Sequence, residues 1–210
     1  MRISIFLGPA GSGKGTQAEL LSKNILCTHI STGDLLRKEV KKSSPLGIRV
    51  KDIMNRGELV SDDIMIDIIK AYLTSISDDN DSHLIFDGFP RTIQQAKQFD
   101  KLLLSLNITI SNVIYFDLTL EDSIRRISGR RIDPNTKSIY HMEFNPPPVE
   151  LKDRLIIRDD DKPEKVISRY DVYKRQTEPL VKFYNSKIRH INCSQTIDDI
   201  HNQILRVLNQ

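Results

Sequence analysis

The chain has 210 residues, enough to bury a core in one principal domain with insertions, and 28% are charged for a formal net charge of only +3. That balance excludes a general polyanion binder, so the placement of the positive charges matters more than their sum. The apolar runs are too short to span a bilayer, and Met1-Arg2 leads into an apolar run without a signal-peptide pattern. Cys27 and Cys193 stand far apart with no CxxC partner, which reads as two reduced core thiols in a cytoplasmic protein without a metal-binding Cys/His array.

Strand and helix signals alternate along the chain, which predicts a parallel α/β sheet. A buried strand over Ile3–Leu7 empties into a glycine-rich segment and a helix over Lys14–Asn24, followed by a strand at Thr28–Ile30. From Ser31 to Leu73 the pattern is all helix, broken at Ser43-Ser44-Pro45 and Arg56-Gly57. A strand at His83–Phe86, a helix over Thr92–Leu104, a strand at Asn112–Asp117 and a helix over Leu120–Gly129 come next. The stretch Ile132–Ile157 carries Asp133-Pro134-Asn135, Tyr140-His141 and Pro146-Pro147-Pro148 without a helical stripe. The rest reads as one long helix over Lys162–Lys187, a strand at Arg189–Asn192 and a helix over Ile197–Leu208. Insertions on such a sheet sit over the carboxyl ends of its strands, where ligands bind.

Gly8 to Thr16 read G-P-A-G-S-G-K-G-T. Glycines let the backbone curl so that successive N–H groups face an anion; the next helix adds its positive end and Lys14 a full charge. This is a nest for nucleotide phosphates, although Gly15 stands where the general motif has Ser or Thr after the lysine.

Ile30 to Arg37 read I-S-T-G-D-L-L-R, which alone is an ordinary helix start with a surface arginine. Phe86 to Thr92 read F-D-G-F-P-R-T. An acid ending a buried strand beside a phosphate loop, Asp87 here, is where a magnesium-linked carboxylate is expected, and Pro90 and Gly88 aim Arg91. Arg126 and Arg130 share a helix face, with Arg131 next and Arg158 and Arg169 beyond the insertion. Any one of these is equally well a solvated face. Together with Lys14, Arg37 and Arg91 they suit about six phosphate charges brought end to end. No nucleophile–base pair is evident: His29, His83, His141, His190 and His201 lie in strands, loops or surface segments without a motif. Phosphoryl transfer to an anionic acceptor needs none, since positioning and charge stabilisation suffice.

The chain resembles an adenylate kinase of the nucleoside monophosphate kinase family from its first strand to its last helix. G-P-A-G-S-G-K-G-T, S-T-G-D-L-L-R, D-G-F-P-R-T, G-R-R and Y-H-x-x-F-N-P-P occur in family order and spacing. The resemblance implies an α/β fold, a five-stranded parallel-sheet P-loop kinase core (1–30, 61–129, 162–210) with helices on both faces. A helical AMP-binding insertion (31–60) and a lid (130–161) complete it. It implies reversible transfer of the ATP γ-phosphoryl to AMP with Mg²⁺, in a cytoplasmic monomer with no nucleic-acid or membrane partner. Carried over by motif, Gly11, Ser12, Gly13, Lys14, Gly15 and Thr16 cradle the ATP phosphates, and Asp87 holds Mg²⁺ through water. Arg126, Arg130, Ile139 and Tyr140 clamp ATP, and Gln195 falls where main chain meets the adenine. Thr32, Arg37, Glu58, Leu59, Val60, Gly88, Phe89, Pro90, Arg91 and Gln95 hold AMP. Arg158 and Arg169 bridge the two phosphate groups, and Lys14, Arg91, Arg126, Arg158 and Arg169 are the catalytic set.

The lid departs from many bacterial relatives: it contains no cysteine, so no zinc is expected, and its 149–155 stretch lacks the usual D-x-x-G-E segment. Hydrogen bonds around His141, Asp133 and Thr136 are candidate replacements for the metal. One alternative is a UMP/CMP kinase of the same fold, which typically has a shorter lid and Asn where Thr92 stands. A GTP-dependent switch would need an N/T-K-x-D motif, and an idle binding module would have lost arginines that are all present.

Overall fold

The computed structural model describes residues 1–41, 44–56, 58, 60–76, 83–136 and 138–208. Strands β1 (Arg2–Leu7), β2 (Thr28–Ser31), β3 (His83–Asp87), β4 (Thr109–Asp117) and the later Ile188–Asn192 strand form one sheet, all pairs parallel. The sheet order is β2-β3-β1-β4 with Ile188–Asn192 outermost. Residues of β1 alternate between faces: Ile3, Ile5 and Leu7 join one apolar cluster and Phe6 the other. Both faces are covered, so the strand reads as an unbroken apolar run.

Helix α1 (Lys14–Asn24) packs on the Phe6 side with the C-terminal Ile197–Leu208 helix. On the other side α2 (Thr32–Lys41), α3 (Pro45–Asn55) and α4 (Asp62–Ser75) form the predicted helical stretch, and α4 packs on α5 (Ile93–Ser105). Their ends are set locally. Pro45 occupies the first turn of α3 behind the Ser44 cap, and Thr92 caps α5 by accepting from Gln95 N at 3.0 Å. Predicted and observed helix limits agree for α1 and for Ile197–Leu208. Strand β4 starts earlier than Asn112, pairing from Thr109 along Arg2.

After α6 (Leu120–Ser128) the chain forms a two-stranded antiparallel hairpin, β5 (Arg130–Ile132) and β6 (Ile139–His141), then 3₁₀ turns at Val149–Arg154 and Asp159–Asp161. The long helix expected over Lys162–Lys187 is interrupted. Helix α7 (Pro163–Val172) passes through a π-turn at Tyr173–Thr177 into α8 (Pro179–Phe183), and strand β7 (Ile188–Asn192) and α9 (Ile197–Leu208) follow. Pro179 has no N–H for a regular helical bond, and Glu178 N donates instead to Tyr173 O at 2.9 Å. Cys193 is buried, whereas Cys27 is only half-buried, outside the core proper. Among the described residues no helix is long and apolar enough to cross a membrane.

Candidate active site

The phosphate loop leaves the carboxyl end of β1, and the Asp87–Arg91 turn leaves β3 beside it, with Phe6 and Asp87 paired in register. Both open into one cleft of about 1850 Å³. Every described residue expected in the site borders this cleft, from Gly11–Thr16 through Thr32, Arg37 and Arg91 to Arg158, Arg169 and Gln195. Leu59 lies outside the described residues.

Gly13 precedes helix α1 as its cap residue; its φ of 91° is left-handed, and its lack of a side chain leaves the first turn without a side-chain cap. Uncapped N–H groups with no acid in the first turn make an anion site. Ser123 of α6, fully buried, steadies the loop by donating to Ala10 O at 2.6 Å. Lys14 Nζ donates to Gly8 O, Pro9 O and Ser12 Oγ at 2.8, 2.7 and 3.2 Å. Burial lowers its pKa to about 8, against the pull of Asp87. The unusual Gly15 has a steric reason: a Cβ there would stand 3.2 Å from Asp87 Oδ2.

Asp87 faces the loop at the end of β3, with His29 Nε2 at 3.5 Å. Burial raises its pKa, but the neighbouring His29 ring and the Lys14 charge outweigh this and hold it below the usual carboxylate range. His29 is therefore inside the site. His83, in its expected strand, is bonded to Ser4 at 2.9 Å and interior, and so is His201, bonded to Gln17, which is thus not in a surface segment.

On the opposite wall Thr32 Oγ1 donates to Asp87 O and Gly88 O at 3.2 and 3.0 Å, tying α2 to the turn. Arg91 Nε donates to Gly88 O at 2.7 Å and Arg91 N to Gln95 Oε1 at 2.8 Å. Thr177 of the π-turn donates to Arg91 O at 2.8 Å, a support the sequence did not signal. The Phe89 ring points away into the core against Phe86 and Phe99, so only its backbone serves the cleft wall. Glu58 pairs with Arg56 at 3.0 Å.

Four of the remaining cations hold protein acceptors. Arg37 clasps Asp34 at 2.6 Å, Arg126 the Cys193 carbonyl, Arg130 the fully buried Asp161, and Arg169 the Asp160 main chain and carboxylate. Burial and then neighbouring guanidinium groups lower Arg91 and Arg158 to about 10; the first neighbour is Arg169 for the former and Arg37 for the latter. Five arginines thus repel one another around one space, which an anion would relieve.

The hairpin that follows has its own anchor. Asp133, with no exposed surface, accepts from Asn135 N at 3.0 Å, Thr136 Oγ1 at 2.9 Å and the Arg154 guanidinium at 2.5 Å. Burial raises its pKa, but these donors win and hold it at about 2. His141 Nδ1 accepts from Glu143 N and Phe144 N at 3.0 Å each. Of the three candidate staples, Asp133 and Thr136 act together, and Arg154 completes them. Among the described residues no group of three or more His, Cys, Asp or Glu is placed to hold a metal.

A family model described as Adenylate kinase matches residues 6–189. The chain is similar to the adenylate kinase of Chloroherpeton thalassium, 41% identical across 99% of this chain and 98% of that one. The chain belongs to the adenylate kinase family. Similarity extends to the adenylate kinase of Hydrogenobaculum sp., 44% identical across 88% of this chain and 89% of its own. That of Methanocella arvoryzae is 43% identical across 93% of each. Family membership makes the chain a phosphotransferase acting on nucleotides, and the cleft holds residues suited to that chemistry.

Proposed function

We propose that this chain performs its family's reaction, reversible in-line transfer of the terminal phosphoryl group of Mg·ATP to AMP giving two ADP, with the following division of labour. The loop N–H groups and Lys14 hold the donor phosphates, while Arg126, Arg130, Ile139 and Tyr140 close on ATP and the Gln195 turn meets its base. Arg37 and Arg91 hold the AMP phosphate; Thr32, Gln95 and the 58–60 and 88–90 main chain frame the nucleoside. Arg158 and Arg169 face both phosphate groups. Segment 31–60 acts as the AMP arm and 130–161 as the lid, on a core of 1–30, 61–129 and 162–210.

Asp87 fits a hard, oxygen-seeking cation, being a carboxylate kept ionised beside the loop. It would hold the Mg²⁺ of Mg·ATP through water, and that ion neutralises oxygens of the transferring group. An AMP phosphate oxygen forms the new P–O bond as the bond to the ADP leaving oxygen breaks, so no protein nucleophile is consumed. Closure of the lid excludes water and suppresses hydrolysis. One chain suffices for this work, and we read the protein as a cytoplasmic monomer.

The observation that carries the proposal is the convergence of buried, mutually repelling guanidinium groups opposite a lysine-bearing phosphate loop. Two charged nucleotides end to end need that arrangement; one does not. The test is a coupled assay of ADP formation from Mg·ATP with AMP, GMP, CMP and UMP as separate acceptors. Turnover with AMP alone is expected. Preference for CMP or UMP would overturn the acceptor assignment.

A further inference from the structure

Gln17 and His201 are buried polar groups, 2% and 9% exposed, that phosphoryl transfer leaves unused. Gln17 follows Thr16 in α1, and Ile197 opens α9 just beyond Gln195. Gln17 Nε2 donates to Ile197 O at 2.8 Å. His201 Nδ1 lies 3.1 Å from Gln17 Oε1, and His201 Nε2 lies 2.9 Å from Asn24 Nδ2. One atom in this chain of groups has a fixed polarity, the Ile197 carbonyl, and the orientation of Gln17 and the Nδ1 proton of His201 follow from it. A carbonyl only accepts, so Gln17 turns its amide nitrogen toward Ile197 and its oxygen toward His201. His201 then carries a proton on Nδ1, and its Nε2 lies against the Asn24 amide. Both imidazole nitrogens are engaged, and no buried polar atom of Gln17 or His201 is left over.

We propose that Gln17 and His201 are positioning residues for the base of the triphosphate donor, an inference that rests on the donor reading given above. They fasten the 194–197 turn to the helix whose N-terminus faces the phosphates. Base and phosphate contacts are thereby held at one separation, so the donor docks without reordering the turn. Gln195, Thr196 and Ile197 border the cleft, while the Gln195 side chain is engaged by Gln203, so the turn presents main chain to the base. Neither residue touches the reacting groups; their effect falls on the donor, and on its base rather than its phosphates.

Equilibrium binding of ATP and of inorganic tripolyphosphate, with steady-state kinetics, to His201→Leu and His201→Asn proteins separates these contributions. Leucine removes the Nδ1 donor and leaves Gln17 Oε1 buried and unpaired, whereas the Asn amide nitrogen can stand near the position of Nδ1. We expect His201→Leu to weaken ATP binding and raise its KM about fivefold to tenfold, the loss of one buried hydrogen bond. Tripolyphosphate affinity, kcat and the KM for AMP should stay within about twofold, and His201→Asn should recover most of the ATP affinity. Equal weakening of ATP and tripolyphosphate, or an Asn protein as defective as the Leu protein, overturns the inference. Should His201→Leu fail to fold, Gln17→Met takes its place with the same expected pattern. A wild-type preference for ATP over tripolyphosphate that survives intact in the variants overturns this inference alone. A wild-type protein showing no such preference overturns the donor reading with it.

Discussion

In the phosphate loop, Lys14 is held by the Gly8 and Pro9 carbonyls and the Ser12 hydroxyl, and among the described residues no carboxylate is bonded to its ammonium. In the β5–β6 hairpin and the turns after it, Arg130 and Arg154 each rest on an aspartate whose side chain has no exposed surface, Asp161 and Asp133. Both regions present cations to the same side of the molecule, yet they differ in what must happen before an anion binds. The loop is ready-made in charge: its lysine is desolvated, its helix end is uncapped, and a phosphate has only neutral oxygens of the loop itself to displace from the ammonium. To meet an anion, Arg130 must leave Asp161 or carry that pairing with it, so engagement of the proposed lid would be coupled to rearrangement. Arg154 is different again, since its pairing with Asp133 serves the hairpin itself.

The largest effect should come from the ready-made side. Lys14→Met is expected to cut turnover by orders of magnitude through the donor phosphates while Tm holds or rises, because a desolvated charge is removed from the fold. Arg91→Ala should be comparably severe with the fold intact. Steady-state kinetics paired with thermal unfolding checks both, and near-normal turnover in either variant would remove its assigned role.

The lid should respond through stability of the hairpin before chemistry. Arg154→Met strands the Asp133 carboxylate, so hydrogen exchange in β5 and β6 should quicken markedly. The double variant Asp133→Asn/Arg154→Met should exchange more slowly than the single one, because no buried charge is left unpaired. A double variant worse than the single would contradict the staple. Acid gives the same test without mutation. The folded-state pKa of Asp133, about 2, lies below its ordinary value, so the contribution is complete above that ordinary value and is lost as pH falls through about 2. Hairpin protection should therefore fall on that acid limb in the wild type and stay flat in Asp133→Asn.

The smallest expected effect is at Gly15. A Cβ there presses on Asp87 Oδ2 at 3.2 Å, a few tenths of an ångström too close, and the carboxylate must shift. Gly15→Ala should raise the Mg²⁺ concentration needed for half-maximal rate about twofold to fivefold with little change at saturation. An unchanged Mg²⁺ dependence would detach Asp87 from the metal.

The same contrast governs what was legible in the sequence. The phosphate loop is contiguous, so nine residues carry the strand exit, the glycine curl, the lysine and the helix start, and α1 begins at Lys14 as read. Lys14, Arg37, Arg91 and Arg130 were also readable, because each sits in a short motif, whereas Arg126, Arg158 and Arg169 stood out only as a set. Their resting partners were not. Asp161 meets Arg130, and Arg154 meets Asp133, across separations that no local periodicity encodes, and which aspartate faces which arginine emerges only when the hairpin folds back. The π-turn escaped for a related reason. The helical pattern runs smoothly through Tyr173–Thr177, and only Pro179 beyond it, with the Thr177 bond to Arg91 across the cleft wall, makes the wider turn the satisfied one. His201 read as a surface residue because its partners, Gln17 and Asn24, belong to the first helix of the chain.

The central claim is that one cleft seats two nucleotides end to end, with their phosphates meeting between Lys14 and the arginines. Titration calorimetry with two adenosines joined by five phosphates tests it most directly. The account predicts one molecule bound per chain, displacement of both ATP and AMP by that one molecule, and a large loss of affinity in both Lys14→Met and Arg91→Ala. Two molecules per chain, or displacement of only one of the two nucleotides, would contradict it.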